Sequence, residues 1–274
     1  MPRIHPTACV DASAQIADDA EIGPYCVIGP QVEIGGAVRL TAHVHVTGVT
    51  AIGARTVVYP FASLGGPPQS VHYRGGSTRL SIGADCDIRQ GVTMNIGTED
   101  GGGVTTVGNK GFFMVNAHVA HDCHVGNNVT FANNAVLGGH VTIGDYAFLG
   151  GQAAIHQFVR VGEGAMIGGV TGVRRDIIPF GFALGHIAEL IGLNIVGLKR
   201  RGCSRDDLRQ LRRFYRAVFL SQGVLAEKLE HAAAQFAGDQ LIAKIVDFIR
   251  QGSSRHFTLP GTRIRTEHER AGSE

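Results

Sequence analysis

Five histidines, His118, His121, His124, His140 and His156, lie close together in the chain, with Asp122 beside the second and Gln157 beside the last. Imidazole titrates near neutral pH and also binds metals. Such a group with a carboxylate therefore points to proton transfer or to cation binding. Lone surface histidines do neither, and that plain reading stands as a third alternative. The spacing is what groups these residues. Eighteen positions after His121 is Gly139 and eighteen further is Gln157, so His140 and the pair His156-Gln157 recur within a residue of one 18-residue step.

The elements that must position them announce the same step. Aliphatic residues recur every six positions from Ile4 through Val10, Ile16 and Ile22 to Leu64, and return in phase at Ile82, Ile88 and Met94. The beat slips by one and runs from Val107 through Phe113 and Val119 to Val173. Neither a helix nor a lone strand has that period. A hexapeptide repeat has it, and three hexads make one triangular coil of a stacked parallel β-helix. Four residues after each beat comes a small residue, among them Cys26, Cys86 and Cys123. These three cysteines are expected to pack inward as small hydrophobes. A glycine often follows the beat, as at Gly23, Gly53, Gly83 and Gly144, where corners of unusual φ are expected.

Two stretches interrupt the rhythm, Gly65–Arg79 and Gly97–Thr106, and both read as loops thrown out from the scaffold. After Pro179 helical patterns begin. Ser204-Arg-Asp-Asp207 reads as a capping box, Leu225 to Phe236 as a second helix, and Asp239 as the cap of a third. The expected division is a β-helix over 1–178 with loops at 65–79 and 97–106, a helical domain over 179–257, and a flexible tail over 258–274. The class is mainly β, with a small α-helical part closing one end of the solenoid.

Composition narrows the partners. The chain has 274 residues, 39 of them Gly, no Trp and a formal net charge of +2, so nothing global suggests nucleic acid. No apolar run is long enough for a membrane span or a signal peptide, which makes the cytoplasm the expected location. The five cysteines are scattered without CxxC spacing, which argues against a disulfide frame or a zinc ribbon.

Four segments carry a specific resemblance: Asn116-Ala-His-Val-Ala-His-Asp-Cys123, Gly139-His140, Ile155-His-Gln-Phe158 and Asn194-Ile-Val-Gly-Leu-Lys-Arg-Arg-Gly202. Over roughly residues 1–255 the chain resembles the acyl-ACP:UDP-N-acetylglucosamine O-acyltransferase family. The resemblance implies a left-handed coil and transfer of a 3-hydroxyacyl chain from acyl carrier protein to position 3 of the sugar nucleotide, the first step of lipid A biosynthesis. It also implies roles. His121 would be the general base, Asp122 would orient it, and the Gly139 N–H would receive the oxyanion. Because neighbours in a strand face opposite ways, an Asp122 contact with His121 requires a corner. His118, His140, His156 and Gln157 would line the cleft, Asn194 and Arg200 would hold the nucleotide with Arg201 beside them, and Gly169 would leave room for a long acyl chain. The alternative for Lys199-Arg-Arg201 is a basic helix terminus that satisfies the dipole. Arg205, Arg209, Arg212, Arg213 and Arg216 form a cationic stripe suited to an acidic carrier protein, or a plain solvated face. The family's sites lie between subunits of a homotrimer. No metal and no resident cofactor are expected, since the phosphopantetheine arrives on the carrier protein.

The chain departs from the family where the acceptor would sit. Ser70 and His72, beside Gln69, stand where an Asp and a Lys are common, Asn95-Ile-Gly-Thr98 replaces His-Arg-Gly-Thr, and Val196 replaces an acidic residue. That pattern suggests a 3-amino sugar acceptor, acylated to an amide, exclusively or beside the hydroxyl sugar. Two rivals are a zinc-dependent hydratase using His118, His121 and His140, and a non-catalytic scaffold.

Overall fold

A computed structural model describes residues 1–252 and 254–261. Short strands, most of two residues, wind into three sheets of eleven, nine and eight strands, parallel except for the last strand of the first. Each coil adds one strand to each sheet, giving the expected left-handed parallel β-helix. The ordinary step between paired strands is 18 residues, as in Arg3↔Glu21. It widens to 30 at Ile52↔Ile82 and to 25 at Ile82↔Val107. The first excursion therefore ejects two whole hexads and keeps the phase. The second ejects seven residues, which is why the beat slips by one.

The beat residues and the small residues four places later fill the prism. Ile28, Val46, Leu64, Met94, Val119 and Leu137 are buried, as are Cys26, Cys86 and Cys123. Burial pushes the Cys123 thiol up to about 12, so it packs as an inert hydrophobe.

The glycines need a different explanation from the one their spacing suggested. Gly23, Gly53, Gly83 and Gly144 do not adopt positive φ; the left-handed corners fall on other residues, among them Tyr25, Arg55, Asp85 and Tyr146. What excludes a side chain is close approach between coils. A Cβ on Gly83 would lie 2.6 Å from the carbonyl carbon of Gly108, and one on Gly144 would lie 2.5 Å from the backbone nitrogen of Glu163.

The boundary expected at 178 is not where the sheets end. Gly181–Leu184 pairs in parallel with Met166–Ile167 and then in antiparallel with Glu189–Leu193. This hairpin covers the open edge of the last coil. The helices follow: α1 (Ile195–Arg200), α2 (Arg205–Tyr215), α3 (Leu225–Gln235) and α4 (Gln240–Arg250). Ser204 and Asp207 form the capping box of α2, and Asp239 accepts from the N–H groups of Leu241 and Ile242 at the start of α4. Their apolar faces bury Leu211, Phe214, Leu229 and Ile245 in one cluster with Phe180 and Leu190. The first residues of the tail expected from 258 are tied to the fold: the Thr258 N–H donates to the Asp176 carbonyl, and the Leu259 carbonyl accepts from the Leu190 N–H. Its remainder, 262–274, lies outside the described residues. No helix among the described residues is long and apolar enough to cross a membrane.

Candidate functional site

Both excursions leave the prism at one edge, between the nine-stranded and eight-stranded sheets. The chain passes from Ser63–Gly66 to Arg79–Ile82 at the first and from Thr93–Asn95 to Val104–Val107 at the second. The histidines stand on the same edge in the coils that follow. Asp122, His140 and Phe158 occupy successive left-handed corners, with φ of 58°, 62° and 65°. His121 is therefore in register with Gly139 and Gln157, and His140 is in register with Asp122, within one residue of that column as its spacing gives.

The corner turns the Asp122 side chain back toward its neighbour. His121 Nδ1 lies 2.8 Å from Asp122 Oδ2. The Asp122 side chain has no exposed surface, and that of His121 is 11% exposed. Burial opposes ionisation of Asp122, but the Thr98 hydroxyl, the His121 imidazole and the Thr98 N–H outweigh it and hold the carboxyl below its ordinary range. An ionised Asp122 can accept the Nδ1 proton, which leaves Nε2 without one. Gly139 lies flat against this ring: a Cβ there would sit 2.5 Å from His121 Cε1. Among the described residues the Gly139 N–H has no backbone partner, so it can serve an incoming oxygen.

Burial weighs on two of the surrounding imidazoles. His140 meets His121 edge-on at 5.1 Å between ring centroids and stacks on Phe158 at 4.4 Å. Burial lowers its pKa, with Asp122 acting against the shift and His121 with it. His118, 2.7 Å from the Thr93 hydroxyl, is lowered by burial and then by His121. His124, 3.0 Å from the Thr106 hydroxyl, faces outward. His156 and Gln157 are exposed one coil above Gly138 and Gly139, and His156 Nδ1 is 3.2 Å from the Gln157 carbonyl oxygen. His121, Asp122 and His140 offer ligand atoms within 4.8 Å of one another, a group that does not include His118. The ring and carboxylate of the first two already bind each other, so the trio suits proton handling.

Along the excursions, Gln69 and His72 are exposed, and Ser70 Oγ accepts from the His72 N–H at 3.3 Å. Asn95 is buried beneath the first excursion. Its Nδ2 donates to the carbonyls of Gly66 and Pro67, while its Oδ1 is buried without a hydrogen-bond partner.

The remaining expected residues lie elsewhere on the chain. Asn194, Arg200 and Arg201 border a cavity of about 560 Å³ on the eleven-stranded sheet, walled by Tyr146, Phe148, Met166 and Phe182. The Asn194 side chain is committed to the fold, capping α1 at the Gly197 N–H (2.9 Å) and donating to the Gly164 carbonyl (2.9 Å). Arg201 pairs with Glu163 and lies 4.3 Å over the Tyr146 ring, while Arg200 and Val196 are exposed at the cavity. Gly169 is exposed at a third place, the edge between the eleven-stranded and nine-stranded sheets. Thr98 and Glu99, which the repeat did not single out as functional, hold the excursions in place. The only signal for them was the seven-residue phase slip.

The chain is similar to known proteins over nearly its whole length. Residues 176–258 match the family described as Udp N-acetylglucosamine O-acyltransferase, domain 2, and residues 1–36 match the bacterial transferase hexapeptide repeats. An acyl-[acyl-carrier-protein]–UDP-N-acetylglucosamine O-acyltransferase of Azorhizobium caulinodans is 54% identical over 257 residues, covering 94% of this chain and 95% of that protein. The solved UDP-N-acetylglucosamine O-acyltransferase of Moraxella catarrhalis matches with a TM-score of 0.90 and 38% identity, covering 93% of this chain and 99% of that one. The UDP-N-acetylglucosamine acyltransferase of Francisella novicida gives 0.91 and 33%, with 96% of each chain covered. The chain belongs to the acyl-[acyl-carrier-protein]–UDP-N-acetylglucosamine O-acyltransferase family.

Proposed function

We propose that this chain transfers a 3-hydroxyacyl group from acyl carrier protein to position 3 of UDP-N-acetylglucosamine or its 3-amino analogue, beginning lipid A biosynthesis in the cytoplasm. The observation that carries the mechanism is the buried His121–Asp122 pair with Gly139 packed against the imidazole. His121 Nε2 takes the acceptor's proton as its oxygen or nitrogen attacks the thioester carbonyl. The Gly139 N–H receives the developing oxyanion. The C–S bond then breaks, and the proton held by His121 passes to the sulfur, leaving a free phosphopantetheine thiol. No acyl-enzyme is required, and the arm belongs to the donor. Turnover of acyl carrier protein thioester with the sugar nucleotide tests the reading, which fails if no acyl-sugar forms.

Within one subunit the nucleotide residues Asn194, Arg200 and Arg201 stand on a different side from His121. A homotrimer that sets the cavity of one copy against the histidine edge of the next would unite them, as a three-sided prism allows. The cavity's chemistry suits a nucleotide, with aromatic walls for a base and the Arg200 fork at a phosphate.

A basic groove formed by Lys199, Arg205, Arg209, Arg212, Arg213 and Arg216 is the proposed landing for the acidic carrier protein. Arg212→Glu with Arg216→Glu is expected to raise KM for acyl carrier protein roughly tenfold at low salt, the gap closing as screening increases. Turnover of a small acyl-pantetheine thioester should be unchanged. An equal loss with that donor would remove the docking role.

The unpaired Asn95 Oδ1 favours the amine as acceptor. A hydroxyl gives up its one hydrogen to the base. An amine keeps a second N–H, which a buried acceptor oxygen can receive. The expected outcome is a kcat/KM roughly fivefold to hundredfold higher on the 3-amino nucleotide, since an unsatisfied buried acceptor costs about 1–3 kcal/mol. A preference for the hydroxyl sugar would end this second reading and leave the first intact.

A further inference from the structure

The second excursion wraps the Asp122 carboxylate. Three hydrogen bonds reach that carboxylate, and Thr98 supplies two: its N–H to Oδ1 at 2.9 Å and its hydroxyl to Oδ2 at 2.6 Å. The third comes from His121. Thr105 completes the grip from the far end of the same excursion, its hydroxyl accepting the Asp122 N–H at 2.8 Å. The glycines of the segment follow from this contact. A Cβ on Gly101 would collide with the carboxylate, and one on Gly97 would come within 2.8 Å of Oδ1. The Thr98 carbonyl in turn accepts from Gly101 and Gly103, closing the excursion on itself. Glu99 ties the assembly to the first excursion through the N–H groups of Gly76 and Arg74.

We infer that Thr98 is the positioning residue of the His121–Asp122 pair, and that the seven extra residues of this coil serve to place it there. The inference rests on the reading of His121 as base. A carboxylate beside an imidazole can rotate, and a rotated Asp122 would release Nδ1 and let the ring tip away from the acceptor. Two donors from one rigid residue remove that freedom. They also stabilise the anion, which helps hold the Asp122 carboxyl below its ordinary range. The titratable groups that face Asp122 are His121, His140 and the Cys123 thiol, with His118 and His124 beyond them, and none replaces the Thr98 donors.

The test is Thr98→Val, which keeps the shape and removes the hydroxyl. The expected result is a roughly tenfold to hundredfold fall in kcat, the size of effect that about 1 Å of misplacement produces, with KM for the sugar nucleotide nearly unchanged. The acid limb of the pH–rate profile should move to higher pH, because the Asp122 carboxylate binds a proton more tightly without the Thr98 donor. Thr98→Ser should restore both. In an Asp122→Asn background, Thr98→Val should add little, since it acts through a carboxylate already gone. Gly101→Ala, which pushes a methyl group into the same carboxylate, gives a second route if the valine variant folds poorly. Wild-type kcat and acid limb in Thr98→Val would overturn the inference. So would an undiminished further loss in the Asp122→Asn background. His121→Ala separates the two failures: if that variant stays active, the reading of the base is wrong, and if it is dead while Thr98→Val is normal, only the inference falls.

Discussion

His121→Ala is expected to lower kcat by roughly 10³- to 10⁴-fold while leaving the unfolding midpoint near that of the parent chain. The two halves of that result have separate causes. An acceptor hydroxyl is a poor nucleophile at neutral pH. Without a base within reach, its proton must leave to water as the thioester is attacked. His121 is the ring so placed, because Asp122 engages Nδ1 and Nε2 is left over. His140 cannot take over easily: its ring is stacked on Phe158 and its Nε2 is 3.8 Å from Asp122 Oδ2. The fold, by contrast, loses little with His121, because the buried Asp122 carboxylate keeps both Thr98 donors. Steady-state rates with acyl carrier protein thioester, beside a thermal scan, check both halves. Retention of more than about a tenth of the parent rate would remove His121 from the mechanism. Donor and acceptor KM should change little, since the ring is asked to act on the proton more than on binding.

The repeat made the architecture legible because a six-residue beat has few geometric solutions. Its register carries over residue by residue, which is how Gly139 and Gln157 could be aligned with His121 in advance. Periodicity says nothing about what does not repeat. The grip of Thr98 on Asp122 joins residues 24 apart across an excursion of irregular length, and no hexad predicts it. The beat glycines show the same limit. Their spacing was visible, but their cause lay in backbone from the next coil, which a strand-by-strand reading does not see. Asn194 stood in a recognisable segment, yet its side chain is spent on capping α1 and on the Gly164 carbonyl. A motif names the neighbourhood of a residue. It does not say which atoms are still available.

Asp176→Ala is expected to cost about 3 kcal/mol of stability, the larger of the structural effects this chain offers. Asp176 is fully buried. Its Oδ1 accepts the Arg160 N–H at 2.8 Å and its Oδ2 accepts Arg160 Nε at 2.7 Å. The same guanidinium reaches the Phe248 carbonyl and the Gln251 side chain at the end of α4, and it lies 4.3 Å over the Phe248 ring. One ion pair thus joins the last coil of the prism to the helical cap. The Asp176 backbone pairs with His256 and Thr258, which brings the chain's return segment into the same joint. Removing the carboxylate leaves a largely buried cation facing apolar surface, a worse state than having neither charge. Adding Arg160→Met to Asp176→Ala should therefore recover part of the loss, even though it deletes a second native group. Urea titration of the parent, the single variant and the double variant measures this directly. A single variant as stable as the parent would show that the joint contributes nothing. A double variant less stable than the single would place the stabilisation in the packing of Arg160 on Phe248 instead of in its charge.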